Sequence, residues 1–106
     1  MFDFQETINM ADKYSNDGNV ALATFHYWLI GYAYQYEEFP FSYTASIGER
    51  GRKGFLKLIK KYKYEILTSQ EYISFKSNCS IFPKYQEYFE NFERVVNSFI
   101  SRSNRS

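Results

Sequence analysis

The chain has 106 residues, including 11 Tyr and 11 Phe but one His, one Cys and one Trp, and its formal net charge is +1. This length fits a single domain, residues 1–106, whose core needs neither disulfides nor a metal. Catalysis at neutral pH usually requires several titratable or metal-binding side chains held together. The composition therefore argues against an enzyme and favours a non-catalytic binding domain with no metal and no cofactor.

Cellular location is indicated by the lone cysteine and by the apolar segments. Cys79 has no partner for an intramolecular disulfide, which suits a reducing compartment. The N-terminus lacks the positive region and apolar run of a secretory signal peptide. Residues 19–36 carry no charge, but four tyrosines among them favour a buried helix over a membrane span. We therefore expect a cytoplasmic protein that makes no membrane contact.

Two helices are predicted in the first third of the chain. The first begins at Asp3, because Asp3 and Glu6 have the spacing of a capping box. It ends at Gly18, since glycine readily takes the left-handed conformation that closes a helix. Asn19 can cap a second helix that runs toward Tyr36. The last three tyrosines of this segment alternate as in a strand, but a lone strand would have no partner, so we favour a helix.

The third predicted helix, residues 46–67, has one apolar face and one basic face. Ser46 and Glu49 form a second capping box at its start. The glycine-rich stretch 48–54 lacks the Gly-Lys-Ser/Thr ending of a phosphate-binding loop, so we interpret it as part of this helix. The positive side chains on the basic face are Arg50, Lys53, Lys57, Lys60 and Lys61.

Two further helices complete the predicted fold. Thr68 and Glu71 indicate the start of a short fourth helix that closes at Asn78. Pro83 suits the first turn of a last helix, whose apolar residues recur at i, i+3, i+4 and i+7 as far as Ile100. Because no hairpin signal occurs, we predict an all-α fold, a compact bundle of four to five antiparallel helices.

Charge is segregated along the chain. Residues 1–49 sum to −6, residues 50–63 sum to +7, and the remaining charges cancel. Such segregation can orient the encounter with a partner. The acidic, Tyr-rich segment after the second helix is predicted to contact a basic partner, because Tyr offers a large area with few torsions to freeze. The predicted contact residues are Tyr34, Tyr36, Glu37, Glu38, Phe39, Phe41 and Tyr43, with Asp12 and Asp17 at the rim.

Several of these residues can also be explained without a catalytic or partner-binding role. The aromatic rings of the loop can instead fold back onto the core. His26 has no Ser, Cys or carboxylate neighbour to complete a nucleophilic set, so it is predicted to be a core histidine. Glu37 and Glu38 are adjacent and would point about 100° apart on a helix, so they cannot jointly hold one metal ion.

The basic helix supports an alternative function. Five positive side chains on one face, Arg50, Lys53, Lys57, Lys60 and Lys61, can neutralise phosphates and give salt-dependent nucleic-acid binding. Against this, the acidic half would repel a polyanion from most directions, and lysines on an amphipathic helix are more often a solvated face.

The chain is small, rich in Tyr, Phe, Asn and Lys, and lacks catalytic motifs. In these respects it resembles the small all-α immunity proteins of bacterial toxin systems, such as contact-dependent growth inhibition. The resemblance lies in overall character, so it assigns no role to any single residue. It implies a protein, monomeric by default, that neutralises a cognate toxin, such as a basic nuclease, by covering its active site. A phage-type inhibitor of a host defence complex would bind in the same way to a different target.

Overall fold

Five helices make up the described part of the chain, residues 4–34 and 45–103 of a computed structural model. They are α1 (Phe4–Asn16), α2 (Val20–Trp28), α3 (Ala45–Ile66), α4 (Gln70–Asn78) and α5 (Pro83–Ser103), and a π-helical segment (Leu29–Ala33) continues α2. No strand occurs within these two ranges. The predicted all-α bundle is therefore confirmed. None of the described helices is both long enough and apolar enough to cross a membrane.

The turn between α1 and α2 follows the sequence prediction. Gly18 has a φ of +79°, in the left-handed region that closes a helix. The N–H of Asn19 donates to the carbonyl of Tyr14 at 2.8 Å, which satisfies a carbonyl at the end of α1. The side-chain oxygen of Asn19 accepts the N–H of Leu22 at 3.5 Å and so caps α2.

The cap of α4 lies one residue later than the sequence suggests. The hydroxyl of Thr68 donates to the carbonyl of Glu65 at 3.3 Å, so this side chain closes the end of α3. Ser69 has extended backbone, and its Oγ accepts the N–H of Tyr72 at 3.4 Å. The predicted Thr68 cap was therefore wrong, because the threonine is occupied by the preceding helix and Ser69 takes its place.

The two other predicted capping boxes differ in outcome. The helix α3 begins at Ala45, so Ser46 lies inside its first turn and is not the N-cap. The predicted cap at Ser46 was wrong because the chain is already helical one residue earlier. The predicted cap at Asp3 lies outside the described residues.

The helix α2 lies at the centre of the bundle and contacts α1, α3 and α4. Every residue from Ala21 to Trp28 is buried. The ring of Phe25 stacks on Phe89 of α5, with centroids 4.8 Å apart, and meets Phe92 edge-on at 5.1 Å. It also meets Tyr72 of α4 edge-on at 6.2 Å. The aromatic core thus joins rings from α2, α4 and α5.

The crossing of α2 and α3 depends on glycine. A Cβ atom at Gly51 would lie 2.6 Å from the backbone nitrogen of Gly31, and one at Gly31 would lie 2.6 Å from the backbone nitrogen of Arg52. The ring of Tyr27 occupies the space beside Gly54. The glycine-rich stretch 48–54 therefore lets two backbones approach closely, which is a packing function.

Candidate functional site

An open groove lies between α5 and the end of α2, where α3 contributes to its wall. Its volume is about 630 Å³, a size typical of sites that bury a ligand or the anchoring side chains of a partner. The apolar side chains that line it are Trp28, Tyr32, Ala33, Phe55, Tyr88, Val95 and Phe99. The groove therefore has an aromatic interior contributed by three separate elements.

Ring contacts fix the shape of the groove. Phe55 of α3 meets Tyr32 edge-on at 5.4 Å and Phe99 of α5 edge-on at 5.9 Å. Trp28 meets Phe92 edge-on at 5.6 Å. Edge-to-face pairs of this kind add stabilisation beyond the apolar area they bury. Because each wall is held by rings from another helix, the groove is formed before any partner arrives.

The π-helical segment supplies one wall of the groove. The N–H of Tyr34 donates to the carbonyl of Leu29, five residues earlier, where an α-helix would bond four residues earlier. Compared with a continuous α-helix, this π-helical turn changes the direction in which the side chains of Tyr32 and Ala33 project. Isolated π-helical turns are rare and are frequently found at functional sites. The irregularity therefore coincides with the groove.

Charged side chains of α5 surround the groove. Lys84 and Glu87 form an exposed ion pair at 3.8 Å, and Lys84 Nζ lies 5.5 Å from the centroid of the Tyr88 ring. Arg94 donates to the side-chain oxygen of Asn91 at 3.2 Å. Among the residues that the structure describes, two cations and one anion thus border the groove.

The structure separates the residues that the sequence assigned to a contact surface. Tyr34 is a core residue, 1% exposed, with its ring against Phe4 at 5.4 Å and Tyr88 at 5.9 Å. Burial raises the pKa of its hydroxyl. Its side chain is therefore not available to a partner. The predicted residues Tyr36, Glu37, Glu38, Phe39, Phe41 and Tyr43 lie outside the described residues.

The two predicted rim residues have different surroundings. Asp12 accepts hydrogen bonds from the hydroxyl of Tyr27 and from Arg50, the latter at 2.6 Å. It is therefore engaged within the protein. Asp17 is exposed at the end of α1 and is free of the core. The contact surface over residues 34–43 stays a prediction, apart from the buried Tyr34.

The alternative, basic site is present on the outer side of α3, but its members are not equivalent. Arg50 pairs with Asp12, and Lys53 pairs with Glu49 at 3.0 Å. The exposed lysines further along the helix are Lys57, Lys60 and Lys61.

His26 and Cys79 both occupy packing positions. His26 is 4% exposed, its Nδ1 lies 2.7 Å from the carbonyl oxygen of Leu22, and its ring contacts Phe75 at 5.4 Å. Burial lowers the pKa of His26, so the ring is neutral at pH 7 and donates from Nδ1. Burial raises the pKa of the half-buried Cys79 thiol, so it is not an activated thiolate. The prediction of a core histidine is confirmed.

Sequence reasoning missed the groove. It assigned Phe55, Tyr88, Val95 and Phe99 to helix faces that point to the core, which is correct for each helix taken alone. No local signal distinguishes a groove-lining residue from a core residue, because both lie on the apolar face of an amphipathic helix.

Comparison with known proteins identifies no relative: no family model matches the chain, and no curated protein or solved structure matches it. Within residues 4–34 and 45–103, no group of three His, Cys, Asp or Glu side chains could hold a metal ion.

Proposed function

We propose that the chain is a non-catalytic binding protein that neutralises a partner protein by occupying its surface, as an immunity protein does for a bacterial toxin. The observation that carries this proposal is the preformed aromatic groove between α2, α3 and α5. Contacts that dominate the affinity of protein interfaces are usually apolar anchors inserted into well-packed pockets. A groove walled by rigid rings is suited to receive such anchors.

The occupant of the groove is a segment of the partner that carries neighbouring apolar side chains and an acidic residue. The apolar chains fill the space between Tyr32 and Val95, and the groove is larger than a single side chain needs. The acid faces Arg94, because Lys84 already balances Glu87 at the other end of the rim. Charge complementarity at a rim mainly governs the association rate and the choice of partner.

The charge distribution of the whole chain supports a partner that has a basic surface elsewhere. Residues 1–49 carry the negative excess; Glu6 is exposed on α1, and the exposed Asp17 follows the last residue of α1. This face can steer a basic toxin, such as a nuclease, toward the protein before the groove engages. Steering and anchoring then use separate surfaces.

The proposal is tested with the protein encoded next to this chain in its genome. Both are co-expressed, and the complex is purified through a tag on one of them. Val95→Lys introduces a long charged side chain into the groove and is expected to weaken binding at least about 30-fold, the effect of losing one strong anchor. Asn97→Lys makes the same charge change on the exposed side of α5 and should bind normally.

Two outcomes would contradict the proposal. The first is a neighbour that neither co-purifies with the chain nor harms cells that lack it. The second is a complex in which Val95→Lys and Asn97→Lys bind equally well, which would exclude the groove as the contact.

A further inference from the structure

Six of the seven positive residues of segment 50–63 fall into two groups in the structure, and the seventh, Lys63, lies beside Tyr64. The first three are engaged within the protein. Arg50 pairs with Asp12 at 2.6 Å, and Arg52 Nη1 donates to the carbonyl of Gly31 at 3.3 Å. Lys53 pairs with Glu49 at 3.0 Å. These three therefore stabilise the helix and its crossing with α2.

The later positive residues form a different surface. Lys57, Lys60 and Lys61 are exposed, and no carboxylate in the described part of the chain forms an ion pair with them. Lys57, Lys60 and Lys61 have the spacing i, i+3 and i+4, which places their side chains on one side of the helix. Tyr64 follows on the next turn, after a departure from helical geometry. We call Lys57, Lys60, Lys61 and Tyr64 the basic face.

An exposed aromatic ring lies at the end of the basic face. Tyr64 is 57% exposed, and Lys63 Nζ lies 5.2 Å from the centroid of its ring. The backbone of α3 departs from helical geometry two residues earlier, at Tyr62, with φ −121° and ψ 16°. Tyr62 packs against the core, whereas Tyr64 is exposed and the neighbouring lysine at its ring is Lys63.

This combination is suited to one class of ligand. Lysines neutralise phosphates, and an exposed ring next to them offers a surface on which an unpaired base can stack. The bases of a duplex are stacked on one another and cannot reach such a ring, and an acidic peptide would use the charges but not the ring. We infer that the basic face binds single-stranded nucleic acid, with phosphates at Lys57, Lys60 and Lys61 and a base on Tyr64.

This site is separate from the groove. Phe55, which lines the groove, is buried on the core side of α3, whereas the basic face lies on the outer side. The inference therefore does not depend on the proposed partner protein, and each can fail alone. Val95→Lys in the groove should leave nucleic-acid binding unchanged.

The test is fluorescence anisotropy of labelled single-stranded RNA and DNA of about 12 nucleotides, a length within the range of known single-strand sites. The affinity is measured over a series of salt concentrations. Three phosphate contacts predict a slope of about −2 for log K against log salt, and the double variant Lys60→Gln, Lys61→Gln should reduce its magnitude by about 1.4. Lys13→Gln, on α1, removes an exposed charge elsewhere and should leave the slope unchanged.

The role of the ring is tested separately. Tyr64→Ala should weaken binding at least about 5-fold, the lower limit for loss of one stacked base, whereas Tyr64→Phe should bind like the unaltered protein. The two variants carry the same charge, so a purely electrostatic surface would not distinguish them. The RNA and DNA arms show which strand is preferred, and both outcomes agree with the inference.

Four results would overturn the inference. One is the absence of any anisotropy change at low salt, and another is an equal change of slope in the Lys13→Gln control. The third is equal binding by Tyr64→Ala and Tyr64→Phe. The fourth is tighter binding of a duplex, or of a polyglutamate peptide of the same charge, than of the single strand.

Discussion

Single residues in this protein combine packing with hydrogen bonding, and Tyr27 is the clearest case. Its ring fills the space beside Gly54, and its hydroxyl donates to Asp12, which also accepts from Arg50. Burial and the neighbouring carboxylate both raise the pKa of Tyr27, so the hydroxyl remains a donor. Asp12 therefore links α1 to α2 and α3.

The buried His26 makes stability depend on pH at the residue scale. Its pKa in the folded protein lies below 6.5, because burial penalises the charged ring. In the unfolded chain the pKa is close to 6.5. Below about pH 6.5 the unfolded state therefore binds a proton that the folded state does not. The free energy of unfolding therefore decreases as the pH is lowered.

We expect the free energy of unfolding to decrease by up to about 1.4 kcal/mol for each pH unit by which the pH is lowered. Urea unfolding between about pH 7.5 and pH 5 measures it. His26→Phe keeps an aromatic ring and removes the titration, so its curve should be flatter over the same range. Carboxylates titrate in both proteins and cancel in the difference. Parallel curves for the two proteins would show that His26 is not buried as the structure has it.

At the scale of elements, the crossing of α2 and α3 sets the positions of the other helices. The backbones approach at Gly31 and Gly51, so neither position has room for a Cβ atom. The π-helical segment lies at this same crossing and forms a wall of the groove. Close backbone contact and irregular helix geometry therefore occur together where the candidate site is formed.

Gly51→Ala is expected to destabilise the protein by at least about 2 kcal/mol, because the added methyl group meets the backbone of Gly31 and the helices must separate. This exceeds the gain of up to about 1 kcal/mol that Ala gives over Gly in a free helix. Lys57→Ala, on the exposed side of the same helix, should change stability by less than about 0.5 kcal/mol. Chemical unfolding measures both stabilities. A Gly51→Ala protein as stable as the Lys57→Ala control would contradict the close backbone contact at this crossing.

At the scale of the whole molecule, one aromatic cluster joins the two halves of the chain. Phe25 of α2 contacts Phe75 of α4 at 6.0 Å and Phe89 of α5 at 4.8 Å. A second ring pair, Trp28 with Phe92 at 5.6 Å, also joins α2 to α5. A core of rings shared by these helices predicts that stability is shared cooperatively across the bundle.

Removal of this ring tests the connection. Phe25→Ala is expected to cost about 3–5 kcal/mol, the usual effect of deleting a buried Phe, and to lower the near-ultraviolet circular dichroism of the whole protein. Phe82→Ala deletes a ring that is 52% exposed and should cost much less. If Phe25→Ala retained the stability of the Phe82→Ala control, the cluster would not connect the two halves.

The sequence by itself determined the helices, the turn between the first two and the start of the last. The apolar spacing of α3 and α5 and the turn at Gly18 and Asn19 are local features, since each depends on residues within about one or two helical turns. The cap at Thr68 failed for an equally local reason, because a neighbouring carbonyl competed for the same hydroxyl.

Only the tertiary structure decided which surfaces are free. Asp12 and Arg50 lie 38 positions apart in the chain, and only the fold brings them into an ion pair, in which both side chains stay partly exposed. The groove likewise exists because three helices separated in sequence bring parts of their apolar faces together around one space. Periodicity shows which side of a helix is apolar, but what covers that side depends on contacts between distant residues, and these follow from packing of the whole bundle.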